Sequence, residues 1–425
     1  MDNVIDILKE RGFIDALTGD EVRGMVEKPQ RVYVGFDPTA DSLHLGNLIA
    51  IIGLAWFQRC GHTPVVILGG ATGLIGDPSG KSTERQLLDK ETIVNNIKGI
   101  RKNLEAVLDF DNQDIEPMVL NNLDWFAEYG FIDFLRDTGK YFRMGVMLSR
   151  DSVRTRLSSD DGMSFTEFSY QLLQAYDFLY LSDKYNVTIQ MGGSDQWGNI
   201  VGGKDLVRKV RGKSVEGVTF PLLTRSDGTK FGKSENGTIW LSEKNLSVYE
   251  FYQYLIRVAD GDVIKLMRLL TFMDMDDIRK YEAIMKDTDY IPNTAQKRLA
   301  EEVTRIVHGE DGLKTALRVT AGVSPGAKTA LNAEIMENIA KDLGSVELAT
   351  KDVLGVKFVD VSVMAGLVSS KGEARRLVRN KGAYLNNNNV IDENSVVQKD
   401  DLIDGRLLLL GAGKKKKIIV KVTRV

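Results

Sequence analysis

The hydrophobic pattern of the first eighty residues predicts two parallel strands joined by a buried helix. Residues 31–36 combine β-branched and aromatic side chains, as strands do, and residues 48–60 are apolar enough to form a buried helix. A second strand is predicted over residues 65–68, followed by a loop over 69–78 that contains four glycines. A strand, a helix and a strand in this order form a βαβ unit, the repeating element of a parallel sheet.

The same alternation continues to residue 223. Further strands are predicted over residues 117–120, 187–191 and 219–223, and helices over 91–110, 165–181 and 196–210. Because strands that alternate with helices build a parallel sheet, we predict an α/β fold with a Rossmann-like domain over residues 1–223.

The pattern changes after this domain. We predict a mobile loop and connection over residues 224–244, a helical domain over 245–321, a linker over 322–350 and a small α+β domain over 351–425. Within the last domain, Ser370 and Glu373 form a capping-box sequence that starts a basic helix. A turn over residues 386–389 and a hairpin over 407–422 complete it.

The composition excludes several classes of protein. A hydrophobic content of 43% and a charged content of 27% are typical of a globular protein. The longest apolar run, residues 48–57, is too short to span a bilayer, and the acidic first ten residues lack the pattern of a signal peptide. We therefore expect a cytoplasmic protein. With one cysteine, Cys60, and three separated histidines, neither an intrachain disulfide nor a zinc site is predicted.

Charge is distributed unevenly along the chain. From Asp352 onward there are fourteen Lys and Arg against eight Asp and Glu, while the remainder carries a net charge of −9. A basic module on an acidic body indicates a local contact with nucleic acid. A solvated charged surface is the alternative, and charge alone does not separate the two.

One loop has the position of a phosphate site. Residues 37–47 lie between a strand and the amino end of a helix, where open α/β sheets bind ligands and where exposed N–H groups favour phosphate. His44 stands at the start of this helix, and Gly46 allows a ligand to approach the backbone. His44 as an ordinary helix-start residue is the alternative.

Two other loops carry cations. Residues 224–237 contain three glycines together with Lys230 and Lys233, which suits either a mobile basic loop or a surface hairpin. Residues 76–82 resemble a P-loop, but three residues separate the two glycines where that motif needs four. Lys81 and Arg85 remain two cations on a loop, with solvated charge as the alternative.

The helix over residues 165–181 carries Tyr170, Gln174 and Asp177. Residues three and four apart share one face of a helix. A hydroxyl, an amide and a carboxylate among Phe and Leu indicate a bound polar ligand, or else an internal hydrogen-bond network.

Four segments together resemble a known family. Residues 44–47 (HLGN) and 230–234 (KFGKS) resemble the two signatures of class I aminoacyl-tRNA synthetases, usually written HIGH and KMSKS. Residues 165–177 (FTEFSYQLLQAYD) and 192–199 (GGSDQWGN) closely resemble the bacterial tyrosine–tRNA ligases. The resemblance runs from about Tyr33 to the end of the chain. Its last part is looser and is similar to a small RNA-binding domain first described in a ribosomal protein.

The resemblance implies a reaction and its partners. The expected activity is ATP-dependent conversion of L-tyrosine to tyrosyl-adenylate, followed by transfer of tyrosine to the 3′ end of its tRNA. ATP would be a substrate in its Mg complex, and the family is homodimeric. A tryptophan enzyme of the same class and a catalytically inactive RNA-binding relative are the alternatives.

The resemblance also assigns roles to residues. Those implied to act on the phosphates are His44, Asn47, Lys81, Arg85, Lys230 and Lys233. ATP would further contact Gly35, Asp37, Gly46, Gly193, Asp195 and Ser234. The phenol of tyrosine would meet Tyr33 and Asp177, its ammonium group Tyr170, Gln174 and Asp77, and the pocket wall would include Gln190 and Gln196. The tRNA-binding residues would be Lys371, Arg375, Arg376 and Arg379.

Three departures from the two signature patterns bear on the chemistry. Asn47 replaces a second histidine, so this position can donate to phosphate but cannot be cationic. Phe231 and Gly232 replace Met and Ser, which leaves both lysines in place but bears on loop closure.

Overall fold

The computed structural model describes residues 3–79, 88–158, 162–234, 237–323, 331–413 and 416–423. The chain divides into two compact units. The first unit comprises residues 1–245 and 256–307, and the second comprises residues 246–255 and 308–425. None of the helices within the described ranges is long and apolar enough to cross a membrane.

The first unit is built on a six-stranded sheet in the order β1-β6-β5-β2-β3-β4. All neighbouring strands are parallel except β1, which is antiparallel to β6. The strands are β1 (Ala16–Leu17), β2 (Arg31–Phe36), β3 (Thr63–Leu68), β4 (Met118–Asn121), β5 (Ile189–Gly193) and β6 (Glu216–Phe220). From β2 the chain runs outward through β3 and β4, then returns to place β5 beside β2. The strand order therefore reverses between β2 and β5, and the carboxyl ends of these two strands form the switch point of the sheet, where such folds bind ligands.

Helices connect these strands. They are α1 (Val4–Glu10), α2 (Glu21–Met25), α3 (Leu45–Arg59), α4 (Thr72–Ile75), α5 (Lys90–Glu105), α6 (Leu123–Phe126), α7 (Phe131–Asp137), α8 (Met144–Leu148), α9 (Asp151–Leu157), α10 (Phe165–Tyr185) and α11 (Trp197–Arg211). The helix predicted over residues 48–60 starts three residues earlier, because the Asn47 side chain accepts a hydrogen bond from the N–H of His44 (3.1 Å) and caps the first turn. The α10 helix starts where Ser164 caps the N–H of Glu167 and ends at Asn186 in the left-handed conformation.

A hairpin and four helices follow the sheet. They are β7 (Lys233–Ser234), β8 (Gly237–Thr238), α12 (Val248–Ile256), α13 (Asp260–Leu270), α14 (Met275–Ile284) and α15 (Thr294–Val323). The last of these helices is interrupted at Gly309, whose φ of 69° and ψ of −177° are not helical. The helical pattern after residue 245 thus corresponds to four consecutive helices.

The second unit contains a five-stranded sheet in the order β11-β10-β12-β13-β9. Its elements after α15 are α16 (Ala333–Leu343), β9 (Ser345–Ala349), α17 (Phe358–Met364), α18 (Lys371–Arg379), β10 (Ala383–Leu385), β11 (Asn388–Asn389), β12 (Leu407–Ala412) and β13 (Lys416–Thr423). As predicted, β12 and β13 form an antiparallel hairpin. Asn386 and Asn387 make the predicted turn with positive φ values of 47° and 66°, which asparagine tolerates.

Both faces of this sheet are buried. Because side chains alternate along a strand, Leu408 and Leu410 point to one face and Leu407 and Leu409 to the other. The first face joins a cluster with residues of α17 and α18. The second packs with Tyr249, Val319, Met336, Ile339 and Ala340.

Residues 322–350, predicted to be a linker, contain α16 and β9 instead. Met336, Ile339 and Ala340 lie three and four residues apart and are buried, which is the pattern of a helix packed on one side. The strand β9 pairs in parallel with β13, about seventy residues later. The linker prediction failed because Ser, Pro and Gly near residue 325 dominate the local composition, while the partner of β9 is distant in sequence.

Candidate active site

A cavity of about 400 Å³ opens at the carboxyl ends of β2 and β5. It lies at the switch point of the sheet and at the amino end of α3. The residues proposed from sequence that line it are Tyr33, Gly35, Asp37, His44, Gly46, Asn47, Asp77, Tyr170, Gln174, Asp177, Gln190, Gly193, Asp195, Gln196 and Lys230. The fold therefore brings together side chains from positions almost two hundred residues apart.

A buried carboxyl group lies on the α10 side of this cavity. Asp177, 4% exposed, accepts hydrogen bonds from Trp125 Nε1 (2.9 Å) and Asn122 Nδ2 (3.1 Å). Burial raises the pKa of Asp177 to about 8, although these two donors act in the opposite direction. The buried hydroxyl of Tyr33 has no hydrogen-bond partner among the described residues. Beside a carboxyl group, this unsatisfied hydroxyl suits a ligand with a hydroxyl of its own.

A second carboxylate, Asp37, follows β2. It accepts hydrogen bonds from the Tyr170 hydroxyl (2.9 Å) and from Thr72 Oγ1 (2.7 Å). Burial and then the charge of Asp37 raise the pKa of Tyr170 well above its ordinary value. Tyr170 therefore remains a neutral donor.

Amide side chains form the next part of the wall. Gln174 Nε2 donates to Gln196 Oε1 (3.2 Å), and Gln196 Nε2 donates to Asp77 Oδ2 (2.7 Å). Asn199 Nδ2 donates to Gln174 Oε1 (2.9 Å), while the backbone N–H of Ser79 donates to Asp77 Oδ1 (2.9 Å). A carboxylate with carbonyl-type oxygens nearby suits a small cation such as an ammonium group.

The amino end of α3 faces the same cavity. The oxygen of the Asn47 amide accepts from the N–H of His44, so its NH₂ group remains as a donor. Trp240 also lines the cavity, with its ring centroid 6.4 Å from that of His44. Hydrogen-bond donors at the positive end of a helix favour phosphate.

The second signature segment lies against this helix end. Leu45 N–H donates to Ile239 O (2.8 Å), and Ile239 N–H donates to Gly232 O (2.9 Å). Gly232 has a φ of 92°, and a Cβ there would lie 3.1 Å from Gly46 N. Because a side chain would be strained at this angle, glycine suits this position better than the serine of the usual signature. Phe231 is buried, 6% exposed.

Four proposed residues remain without side-chain geometry. Lys81 and Arg85 lie outside the described residues. Lys233 and Ser234 form β7, paired with β8, but only their backbone is described. The described ranges contain no cluster of His, Cys, Asp or Glu suited to hold a metal ion.

Sequence reasoning missed five residues of the site and its support. They are Thr72, Asn122, Trp125, Asn199 and Trp240. Asn122 directly follows β4. Polar residues that follow parallel strands meet at one edge of the sheet, so the position of Asn122 in the sequence was sufficient to predict it in the site. The sequence carries no comparable signal for Trp240.

The basic helix α18 lies in the second unit, and most of its cations are already paired. Lys371 contacts Asp360 (2.7 Å), while Arg379 and Arg375 both contact Glu393, the latter at 4.0 Å. Arg376 is exposed and has no ion pair within the described part of the chain. Ser370 caps the N–H of Glu373 as predicted (3.2 Å), but the Glu373 carboxylate accepts from the N–H of Ser369 (2.9 Å) rather than completing the box at Ser370.

Two family models match the chain. The model for tRNA synthetases class I (W and Y) matches residues 25–322. The model for the tyrosine–tRNA ligase SYY-like C-terminal domain matches residues 334–420. The two matches therefore cover both the cavity and the basic helix.

Individual relatives agree with these matches. The tyrosine–tRNA ligase of Protochlamydia amoebophila (strain UWE25) is 62% identical over 422 residues, which is 99% of each chain. The chloroplastic/mitochondrial tyrosine–tRNA ligase of Arabidopsis thaliana is 50% identical over 99% of this chain and 84% of its own. The crystal structure of a C-terminally truncated mitochondrial tyrosyl-tRNA synthetase from Aspergillus nidulans superposes with a TM-score of 0.66 at 31% identity, covering 74% of this chain and 92% of that one. This chain belongs to the tyrosine–tRNA ligases of the class I aminoacyl-tRNA synthetase family.

Proposed function

We propose that this protein activates L-tyrosine with ATP and transfers it to its tRNA. The observation that carries the proposal is the buried Asp177 carboxyl group in a cavity that also contains the amino end of α3 and the hydroxyl of Tyr33, which has no hydrogen-bond partner among the described residues. A phenol can donate to Asp177 and accept from Tyr33, which an indole N–H cannot do. The pocket therefore favours tyrosine over tryptophan.

The ammonium group of the substrate is proposed to bind among the amide side chains. Asp77 supplies a buried negative charge, and the oxygens of Gln174 and Gln196 are acceptors. Tyr170 is proposed to contact the ammonium group as well, and Gln190 lines the same cavity as part of its wall. With both ends of tyrosine held, its carboxylate is directed toward the amino end of α3.

The chemical step needs positioning and charge stabilisation rather than a base. The tyrosine carboxylate is already ionised and attacks the α-phosphate of ATP, from which pyrophosphate departs. Negative charge develops on the phosphate oxygens and on the leaving group. We assign its stabilisation to His44 and Asn47 at the helix end and to Lys230, which lines the same cavity.

Other parts of the ATP site follow from the same assignment. Lys233, Lys81 and Arg85 are proposed as further cations on the phosphates, with Ser234 beside them. Asp195 and Gly193 are placed at the ribose, since a Cβ at Gly193 would lie 2.7 Å from the Asp195 carboxylate and restrict the space there. Gly35, Asp37 and Gly46 line the remaining path of the nucleotide. Mg²⁺ would arrive with ATP as part of the substrate.

Pyrophosphate exchange into ATP tests the proposal directly. Exchange that depends on tyrosine and not on tryptophan supports the assignment, and exchange with tryptophan alone would replace it by the tryptophan enzyme. If neither amino acid supports exchange while the protein still binds tRNA, the chain is a catalytically inactive relative. The presence of His44 and Lys230 in one cavity argues against that outcome.

We also propose that the protein works in the cytoplasm as a homodimer. Apolar side chains of α7 and α8 are exposed, among them Phe131 (65%), Ile132 (70%), Met144 (58%) and Val146 (60%). Exposed apolar groups at this density mark an interaction surface, and the family resemblance makes a second copy the proposed partner. A cytoplasmic setting fits a chain that has one cysteine, Cys60, and therefore forms no intrachain disulfide.

Replacing Ile132 with aspartate is expected to convert the dimer to a monomer, because it places a charge on an apolar interface. Sedimentation velocity should show twice the mass of one chain for the parent and one chain for Ile132→Asp. Ile291, 74% exposed on another segment, provides the matched control Ile291→Asp, which should remain dimeric. A dimeric Ile132→Asp would place the interface elsewhere.

For tRNA binding, Arg376→Ala is expected to weaken affinity severalfold and to reduce the dependence of log Kd on log salt by about one. Its guanidinium is exposed and has no ion pair within the described ranges, whereas Arg379 must first leave Glu393. Arg379→Ala is therefore expected to have a smaller effect. Filter binding at several salt concentrations measures both variants. If Arg376→Ala binds tRNA as the parent does, the proposal that α18 contacts the RNA is wrong.

A further inference from the structure

Two of the carboxyl groups that line the cavity, Asp177 and Asp37, are joined by one continuous set of hydrogen bonds. Asp177 Oδ2 accepts from Asn122 Nδ2 (3.1 Å), and the same nitrogen donates to Thr72 Oγ1 (3.0 Å). Thr72 Oγ1 in turn donates to Asp37 Oδ1 (2.7 Å). Asn122 is fully buried and Thr72 is 3% exposed.

The direction of each hydrogen bond in this set is fixed. The backbone N–H of Ala71 donates to Asn122 Oδ1 (2.8 Å), which determines how the amide is oriented. Its two N–H hydrogens then go to Asp177 and Thr72. Since the Thr72 oxygen accepts from Asn122, its single hydrogen is left for Asp37. Each side-chain hydrogen of Asn122 and Thr72 is therefore donated to an acceptor. Thr72 links the two halves of the set, because it accepts from Asn122 and donates to Asp37.

We propose that Thr72 is a positioning residue for tyrosine selection. It holds the Asn122 amide in the orientation that presents Asp177 to the phenol, and it simultaneously fixes Asp37 beside Tyr170. The inference rests on the proposed function, since it assigns Asp177 to the phenol of tyrosine. Thr72 acts through Asn122 and Asp37 and is not itself assigned a contact with the reacting groups.

The proposed role of Thr72 depends on the free-energy cost of leaving a buried N–H group of Asn122 without a hydrogen-bond acceptor. If the Thr72 hydroxyl is removed, one hydrogen of the fully buried Asn122 amide loses its partner, which costs free energy. Turning the amide toward another acceptor recovers part of this cost, but it withdraws the donor from Asp177. The carboxyl group then loses one of the two contacts that hold it toward the cavity.

The test compares Thr72→Val with Thr72→Ser. Valine keeps the shape and removes the hydroxyl, whereas serine retains it. We expect Thr72→Val to lower the ratio of kcat/KM for tyrosine to that for phenylalanine about tenfold. The loss should lie mainly in KM for tyrosine, with kcat and KM for ATP within threefold of the parent. Thr72→Ser should restore the ratio to within about threefold.

A purely structural role would give a different result. If Thr72 only supports the fold, both amino acids lose activity by equal factors in Thr72→Val, and the proposal is overturned. It is equally overturned if Thr72→Val keeps the parent ratio, or if Thr72→Ser is as impaired as Thr72→Val. Thr304→Val, at a buried threonine whose hydroxyl has no partner in the described structure, is the matched control and should keep the parent ratio.

A second measurement is independent of catalysis. Calorimetric titration of tyrosine should show about tenfold weaker binding to Thr72→Val and parent-like binding to Thr72→Ser. Parent-like binding by a folded Thr72→Val contradicts the proposal. If the parent protein itself neither binds tyrosine nor supports exchange, the proposed function fails, which is distinct from a failure of the role of Thr72.

Discussion

Replacing Asp177 with alanine is expected to lower kcat/KM for tyrosine a hundredfold or more while changing that for phenylalanine by only a few-fold. In the parent, Asn122 and Trp125 hold this buried carboxyl group, which is proposed to accept from the phenol. When phenylalanine enters, that group lies opposite a hydrogen atom and remains unsatisfied, at a cost of about 1–3 kcal/mol or more if it is charged. Without the carboxyl group, phenylalanine no longer incurs this cost and tyrosine no longer gains the hydrogen bond, so the preference for tyrosine is lost. Pyrophosphate exchange with each amino acid measures the ratio.

Two further variants separate recognition of the phenol from support of the fold. Tyr33→Phe should reduce the preference for tyrosine by a factor of about 2–10, because it removes one neutral hydrogen bond. Asp183→Ala changes a carboxylate on the same helix that pairs with Arg211 at the surface, and it should leave the preference unchanged. Equal losses for tyrosine and phenylalanine in Asp177→Ala would assign this residue to the fold.

Lys230→Ala is expected to slow adenylate formation about 10²–10³-fold, with tyrosine affinity within twofold of the parent. Lys230 lines the cavity from the segment that precedes β7, and its charge is proposed to act where the pyrophosphate leaves. Lys233→Ala should behave similarly. An interaction that strengthens only in the transition state changes the rate and not the ground-state binding.

Single-turnover measurements with saturating tyrosine and ATP isolate this step. Lys280, exposed on α14 and paired with Asp277, provides the control Lys280→Ala, whose rate should equal that of the parent. A rate within a few-fold of the parent in Lys230→Ala would exclude the lysine from the transition state. A matching loss of tyrosine affinity would instead assign it to substrate binding.

The parallel sheet and the cavity followed from sequence because their signals are local. The strand β2 is a run of β-branched and aromatic residues, and Tyr170, Gln174 and Asp177 share one face of α10 at helical spacing. Each pattern lies within about a dozen residues and depends on burial of one side of an element. The fold then placed these residues in one cavity, as expected for the carboxyl ends of parallel strands.

What the sequence did not indicate depends on partners that are distant along the chain. Asn122 and Trp125 reach Asp177 from more than fifty residues away, and only the packed structure shows that the carboxyl group has two donors. Glu393 pairs with Arg379, which lies fourteen residues earlier in the basic helix. This ion pair makes Arg379 less available to a phosphate than the sequence indicates. Polar contacts of this kind leave no periodic pattern because a single side chain makes each one.

The sheet of the second unit has a consequence for anyone who shortens the gene. A stop codon after residue 350 keeps β9 but deletes β13, the strand with which it pairs in parallel. It also uncovers Tyr249, Val319 and Met336, which pack on Leu407, Leu409 and Ile419 in the whole chain. Such a product carries an unpaired strand edge beside an apolar surface, the combination that promotes aggregation. A soluble catalytic fragment calls for a cut before α16 together with polar substitutions at Tyr249 and Val319.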